Sequence, residues 1–280
     1  MEADEVFVGL PMAFWANVRS LSQAIGYTER RTGTIKVPTQ TQVETALLSL
    51  GLTTEHISRA GQVTDFGHLL LDYFAYRARV LNDYVRPRLM DATEALERFT
   101  ALTGEFRSRF PLTMNKQKGE KAGPSLFTNA VNHLIERAIY PDGCDFNPQT
   151  LTTFTKDRVP LRTLARRLDG AYPSTVNPVA LWEIKEYYYT TTFGSRVADG
   201  VYETLLDGLE IEELRKEEGI ECKHYLFIDS YYTWWGMGRS YLCRMIDMLH
   251  MAYVDEIFFG REIYERLPAV AASWRGLASE

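Results

Sequence analysis

A carboxylate and an amine lie two residues apart inside an otherwise apolar stretch, Glu183-Ile184-Lys185 within VALWEIKEYYY. The flanking residues are apolar, β-branched or aromatic, which is typical of a buried strand. Because side chains alternate along a strand, Glu183 and Lys185 face the same side, roughly 6–7 Å apart. Such a pair is either a same-face salt bridge, worth about 0–1 kcal/mol when exposed, or part of a functional site.

A second acid-x-Lys triplet, Glu221-Cys222-Lys223, shows that the spacing alone is weak evidence. Glu221 follows the charged end of a predicted helix, where side chains usually face water, whereas Glu183 stands within an apolar strand. Asp169 precedes Glu183 by fourteen residues and ends a short extended segment at a glycine turn. A hairpin of that length would place the carboxylates of Asp169 and Glu183 on neighbouring strands.

Two carboxylates on adjacent strands repel each other unless a cation or protons offset their charge. Mg²⁺ suits such oxygen ligands, because it keeps several waters and needs only one or two protein carboxylates. An amine at Lys185 could hold the attacking water or help to deprotonate it. Together these residues predict metal-assisted hydrolysis of a phosphodiester.

The elements that must hold these residues change character along the chain. The first hundred residues place apolar side chains at three- and four-residue intervals, which predicts helices. A basic segment follows, with six basic and two acidic residues between positions 98 and 121, and it ends in a polar loop bounded by prolines. From residue 125 onward the pattern predicts a helix, about three strands (LTTFTK, LRTLARRLDG and VALWEIKEYYY), a helix, a strand and a helix. We therefore predict a mixed α/β (α+β) fold with a helical region over residues 1–123 and a second domain over residues 124–280.

Composition excludes several classes of protein. The chain has 280 residues, 45% of them hydrophobic, so it can bury a large core. Its net charge of −6 argues against a protein that coats nucleic acid non-specifically. Without an apolar run of about 18 residues or a basic, apolar leader, we expect no membrane association and a cytoplasmic location. The three cysteines and five histidines have no zinc-binding spacing.

Asp169, a thirteen-residue spacer and Glu183-Ile184-Lys185 resemble the PD-(D/E)xK nuclease superfamily, and within it the restriction endonucleases. The superfamily core is a helix, a three-strand meander, a helix and a strand, which the resemblance matches to residues 125–229. It implies that Asp169 and Glu183 bind Mg²⁺, with the carbonyl of Ile184 as a further ligand, and that Lys185 positions the attacking water. Leu168 stands where the motif has proline.

The resemblance also extends the set of candidate residues. Many members use an acid on the helix before the meander, for which Glu136 is the candidate, and Asp142 of the literal Pro141-Asp142 pair ranks second as the upstream acid. A further group of basic residues could contact DNA phosphates: Lys116, Lys118, Lys121, Arg166, Arg167 and Arg196.

These features predict a Mg²⁺-dependent endonuclease that cleaves double-stranded DNA, in particular a type II restriction endonuclease. Since duplex cleavage needs two sites, a homodimer is expected, with a DNA methyltransferase as partner in the same system. One alternative is a non-enzymatic regulator with a helix-turn-helix around Gly51, although there is no Lys or Arg between Val37 and Ser58. Another is a less selective metal-dependent nuclease that acts on RNA or branched DNA.

Overall fold

The computed structural model describes residues 1–29, 31–105, 108–115, 119, 122–189 and 195–278, with side chains from residue 197 onward in the last range. The N-terminal part contains helices α1 (Met12–Ile25), α2 (Gln40–Ser49) and α3 (Asp65–Arg79) and a hairpin of β1 (Ser58–Arg59) and β2 (Gln62–Val63). Helix α3 continues into a π-helical turn (Val80–Val85) and a 3-10 turn (Arg86–Arg88).

The start of α2 is fixed by a capping box. The Thr39 side chain accepts a hydrogen bond from the Gln42 N–H, and the Gln42 side chain accepts one from the Thr39 N–H. This satisfies two N–H groups that a helix start otherwise leaves unpaired. Gly51, at a φ of 72°, then turns the chain into residues 52–64, which contain the β1–β2 hairpin and no helix. The predicted helix-turn-helix around Gly51 is therefore wrong, because its second helix does not form.

The second part of the chain is built on a four-stranded sheet. Its elements are α4 (Ala92–Glu105), α5 (Leu126–Ile139), β3 (Thr153–Lys156), β4 (Val159–Thr163), β5 (Gly170–Tyr172), β6 (Ala180–Glu186), α6 (Ser195–Glu218), β7 (Lys223–Asp229), a π-helical turn (Tyr231–Met237), α7 (Arg239–His250), β8 (Glu256–Phe259) and α8 (Glu262–Leu277). The strand order is β5-β6-β7-β8, with β5 antiparallel to β6 and the other neighbours parallel. The predicted mixed α/β class is confirmed.

The strands before β6 differ from the predicted meander. LTTFTK pairs with the start of LRTLARRLDG as the separate hairpin β3–β4, and only Gly170–Tyr172 joins the sheet. Asp157 and Arg158 explain this pairing, since both have positive φ, as a two-residue hairpin turn requires. On the outer side of β5, Asp145 forms an antiparallel bridge with Ala171, through two N–H···O bonds of 3.0 Å.

Helices cover both faces of the sheet. Helices α4, α5 and α8 pack against one face, which buries Phe127, Trp182, Phe227 and Trp274. The N-terminal helices, α6 and α7 share the core of the opposite face, which includes Trp15, Leu226 and Ile257. The predicted helical region over 1–123 therefore contributes to both layers, because α4 packs with α5. No helix in the described part of the chain is long and apolar enough to cross a membrane.

Gly170 is the residue that allows β5 to lie against Trp182. A Cβ at this position would stand 2.0 Å from two ring atoms of Trp182, whose ring is stacked on Trp274 with centroids 5.6 Å apart. We expect Gly170→Ala to lower the free energy of unfolding by about 1–3 kcal/mol, because the stacked ring has little room to move. Urea denaturation measures this effect. Gly143→Ala is the matched control, since a Cβ there meets no atom within 4 Å, and equal stability of the two variants would contradict the packing argument.

Candidate active site

Asp169 and Glu183 meet where β5 begins. Gly170 is opposite Trp182 in the register, so Asp169 lies beside Glu183. The Asp169 N–H donates to the Trp182 carbonyl at 3.0 Å, and the Asp169 carboxylate accepts from the Ile184 N–H at 2.8 Å. The two carboxyl groups are hydrogen-bonded to each other. The structure thus brings together the two acids that sequence spacing placed on neighbouring strands.

The two carboxyl groups have opposite tendencies to bind a proton. Burial among protein atoms, the charge of Glu183 and the hydrogen bond to Glu183 raise the pKa of Asp169 well above its ordinary value of 3.8. Burial also acts to raise the pKa of Glu183. The charge of Lys185, the hydrogen bond from Asp169 and the charge of Arg166 outweigh burial and lower this pKa. Asp169 as a whole residue is exposed, but its carboxyl group is in contact with Glu183 and with the Ile184 N–H. Asp169 therefore binds the proton shared by the pair more readily than Glu183 does.

Lys185 is a buried cation held between two acids. Its exposed fraction is 4%, and its Nζ lies 3.4 Å from Glu183 Oε2 and 2.7 Å from Glu203 Oε2. Burial opposes the charge, but the carboxylates of Glu183 and Glu203 outweigh it and raise the pKa of Lys185 above its ordinary value of 10.5. Lys185 is therefore protonated at neutral pH and acts as a positive charge rather than as a base.

Helix α6 supplies two acids that sequence reasoning missed, Glu203 and Asp207. Both bind Arg166, whose NH1 lies 2.7 Å from Asp207 Oδ2 and whose NH2 lies 3.5 Å from Glu203 Oε2, and Arg166 also forms an ion pair with Glu183. Asp207 has no exposed surface, and burial raises its pKa to about 7 against the opposing effect of Arg166. The sequence feature that could have identified them is their four-residue spacing, which puts Glu203 and Asp207 on one face of α6.

Glu186 is another acid of β6, and it fixes α5 to the sheet. Its carboxylate accepts hydrogen bonds of 2.9 Å from the Leu126 N–H, the Thr128 N–H and the Thr128 hydroxyl. A carboxylate at the first turn satisfies the unpaired N–H groups of the helix and complements its dipole. Glu186 therefore has a structural role at the edge of the site.

The structure does not bring Glu136 to this cluster. Glu136 is buried and accepts hydrogen bonds of 2.8 Å from Ser108 and 2.9 Å from the backbone and side chain of Arg109. It lies ten residues, about 15 Å, along α5 from Leu126 at the Glu186 end. Asp142, the second-ranked acid, instead contacts Tyr172 and Arg275.

The basic residues predicted to contact DNA fall into three groups. Arg166 is in the ion pairs described above, and Arg167 is exposed and donates to Gln149 at 3.4 Å. Arg196 belongs to the first turn of α6, but its side chain is outside the described atoms. Three further residues lie outside the described residues: Lys116, Lys118 and Lys121.

A groove of about 410 Å³ opens beside the acid pair, and its lining includes Asp169, Ile184, Asp199 and Glu203. The N–H and C=O of one strand residue point to the same side. The Ile184 N–H points to Asp169, so the Ile184 carbonyl points to the same side of β6. At this position the edge of β6 is open, because β5 has not yet begun. The groove thus has carboxylate and carbonyl oxygens on one wall.

This donor set fits a hard divalent cation that keeps most of its water ligands. Asp169, Glu183 and the Ile184 carbonyl offer only oxygen, which Mg²⁺ prefers, and the shared proton of the acid pair would leave when a cation takes its place. In the described residues, no three His, Cys, Asp or Glu side chains form a group that could hold a metal ion. Among the described residues, the acid pair could therefore offer at most two carboxylates to a cation.

The fold and this cluster define a mixed α/β protein with an acid–acid–lysine group at the edge of a four-stranded sheet. The chain belongs to the family described as a domain of unknown function (DUF7687), whose model matches residues 90–274. Residues 1–84 match a second model, also described as a domain of unknown function (DUF7690). No curated protein and no solved structure matches the chain. The two matched segments meet between residues 84 and 90, whereas the sequence prediction placed the domain boundary at residue 123.

Proposed function

We propose that this protein is a Mg²⁺-dependent endonuclease of the PD-(D/E)xK type that hydrolyses phosphodiester bonds of double-stranded DNA. The observation that carries the proposal is the hydrogen-bonded pair Asp169–Glu183 beside a groove, with Lys185 Nζ 3.4 Å from Glu183. Part of the core that the resemblance implies is present, namely the order α5, β5, β6, α6, β7 with β5 antiparallel and β7 parallel to β6, whereas β3 and β4 form a separate hairpin in place of a three-strand meander.

Each side chain has a defined task in this proposal. Asp169, Glu183 and the Ile184 carbonyl hold Mg²⁺, which when bound polarises a phosphoryl oxygen and lowers the pKa of water. Lys185 orients the attacking water and offsets the negative charge that develops on the phosphate. Because Lys185 is protonated, the proton of the attacking water would pass to bulk solvent or to a phosphate oxygen of the DNA. Glu203 positions Lys185 through the 2.7 Å ion pair.

The charge of the groove makes cleavage depend on the cation. Asp169, Glu186, Asp199 and Glu203 all line it, so a phosphodiester approaches against negative charge. A divalent ion at the acid pair offsets part of this repulsion, which would otherwise oppose DNA binding. We therefore expect Mg²⁺ to promote both binding and chemistry.

The more specific proposal, a type II restriction endonuclease, depends on the same Asp169–Glu183–Lys185 cluster. A sequence-specific type II restriction endonuclease cuts both strands, and a homodimer supplies the two sites that this requires. A cytoplasmic location and a DNA methyltransferase that protects the host sequence belong to this assignment. The alternative of a DNA-binding regulator depended on a helix-turn-helix around Gly51, and the chain after Gly51 forms the β1–β2 hairpin instead.

Incubation of the purified protein with unmethylated plasmid DNA, in Mg²⁺ and in EDTA, tests the proposal. We expect discrete fragments in Mg²⁺ and none in EDTA. Smeared products in Mg²⁺ would support a less selective nuclease, and a parallel digest of RNA and branched DNA would identify its substrate. Unchanged DNA at every Mg²⁺ concentration, from a folded protein, would overturn the assignment as an endonuclease.

A further inference from the structure

A second cavity, of about 440 Å³, lies between α1, α6 and α7. Val201 and Leu205 line it, and they are two residues before and after Glu203, so the cavity is on the opposite side of α6 from the acidic groove. Its volume is within the range of small-molecule sites, about 300–1,000 Å³. The cavity is thus separate from the proposed active site.

Two arginines give this cavity a positive wall. In the described part of the chain, neither Arg19 nor Arg244 has a carboxylate within ion-pair distance: Arg19 NH2 contacts the Met251 sulfur at 3.4 Å, and Arg244 Nε donates to the Tyr27 hydroxyl at 3.3 Å. Asp247, the acid that lines the cavity, is occupied by Arg77 at 2.9 Å and Tyr73 at 2.6 Å. Within the described residues, no carboxylate therefore neutralises either guanidinium group, and the partners of Arg244 include the uncharged side chains of Tyr27 and Tyr241.

The rest of the cavity is aromatic and apolar. The Tyr27 ring contacts two guanidinium groups, with the guanidinium carbons of Arg77 at 5.7 Å and Arg244 at 5.6 Å from its centroid. Tyr202 is exposed at the rim, and Val201, Leu205 and Met248 form apolar surface. Arginine forks bind phosphate through paired hydrogen bonds, and flat rings stack on tyrosine. This combination suits an anion that carries a planar aromatic group.

We propose that this cavity binds a nucleoside monophosphate, with its phosphate held by Arg19 and Arg244. The base lies against the exposed ring of Tyr202 and the apolar surface of Val201 and Leu205. This site is independent of the proposed nuclease activity, since none of the residues that line it belongs to the Asp169–Glu183–Lys185 cluster.

Isothermal titration calorimetry of the full chain with AMP, GMP, CMP and UMP tests the site. We expect saturable binding of at least one of them, and at least tenfold weaker binding of the matching nucleoside and of inorganic phosphate. Absence of saturable binding with all four would overturn the proposal, and phosphate binding as tightly as the nucleotide would overturn the role of the base.

Arg244→Gln and Arg19→Gln should each weaken nucleotide binding at least tenfold. Arg19 is exposed, so its variant tests the site even if Arg244→Gln disturbs the contact with Tyr27. The matched control is Arg59→Gln, because the Arg59 guanidinium donates to the Glu55 carbonyl at the N-terminal hairpin and does not line the cavity. Unchanged affinity in both cavity variants would contradict the assigned phosphate position.

Discussion

Replacing Lys185 with alanine is expected to lower the rate of Mg²⁺-dependent DNA cleavage by about 10²–10⁴-fold while DNA binding is retained. The ammonium lies 3.4 Å from Glu183 Oε2 and is buried, so its loss removes a positive charge beside the proposed metal site. Cleavage is measured as the initial rate on plasmid DNA. Binding is measured in Mg²⁺ by gel shift, which is possible because the variant cuts slowly.

The sequence supplies a matched control for this experiment. Lys223 belongs to the second acid-x-Lys triplet, is partly exposed and pairs with Asp255 at 3.1 Å, so Lys223→Ala should cleave at the wild-type rate. Lys185→Met, which fills the buried space without charge, separates loss of chemistry from loss of folding. Cleavage at the wild-type rate by either Lys185 variant would remove Lys185 from the mechanism.

Replacing Asp169 with asparagine is expected to have two opposite effects. Cleavage falls by about 10²–10⁴-fold because the amide is a poor ligand for the cation. The metal-free protein, in contrast, becomes less sensitive to alkaline pH, since asparagine can donate a hydrogen bond to Glu183 and has no proton to lose. One substitution therefore separates function from stability at this site.

The direction of the pH effect follows from the raised pKa of Asp169. The folded protein keeps a proton that the unfolded chain releases near pH 3.8, the ordinary pKa of aspartate. The stabilisation is complete below that pH and is lost as the pH rises through the higher pKa of the folded state. Urea denaturation between about pH 5 and 9, in EDTA, should therefore show a smaller decline in stability for Asp169→Asn than for the wild type.

Asp157→Asn is the control for this stability series. Asp157 lies at the exposed tip of the β3–β4 hairpin with a φ of 51°, a conformation that asparagine accepts. The substitution removes the same kind of ionisable group outside the site. If Asp169→Asn and Asp157→Asn show the same pH dependence, the shared proton at Asp169–Glu183 is contradicted.

The Asp169–Glu183–Lys185 cluster could be predicted because it depends on short-range geometry. Alternation along β6 places Glu183 and Lys185 on one side, and the hairpin before β6 brings Asp169 to Glu183. The resulting contacts need only strand periodicity and loop length. The α/β class followed from the same periodicities.

The surroundings of the Asp169–Glu183–Lys185 cluster could not be predicted, because they depend on how elements that are distant in the sequence pack together. Glu203 and Asp207 reach Arg166 only after α6 crosses the sheet, and helical periodicity does not encode that crossing. Strand β8 is a run of only four residues, Glu256–Phe259, and was missed because short apolar runs are ambiguous. The two-residue turn of the β3–β4 hairpin pairs these two strands with each other, and neither belongs to the four-stranded sheet.

Calorimetric titration of the protein with Mg²⁺ tests the central claim most directly, because it measures the cation itself rather than its product. The wild-type chain is expected to bind about one ion, and Asp169→Asn and Glu183→Gln to bind it at least tenfold more weakly, as expected for a site with two carboxylate ligands. Absence of Mg²⁺ binding to the folded wild type, or unchanged affinity in both variants, would contradict a metal site at this pair of acids.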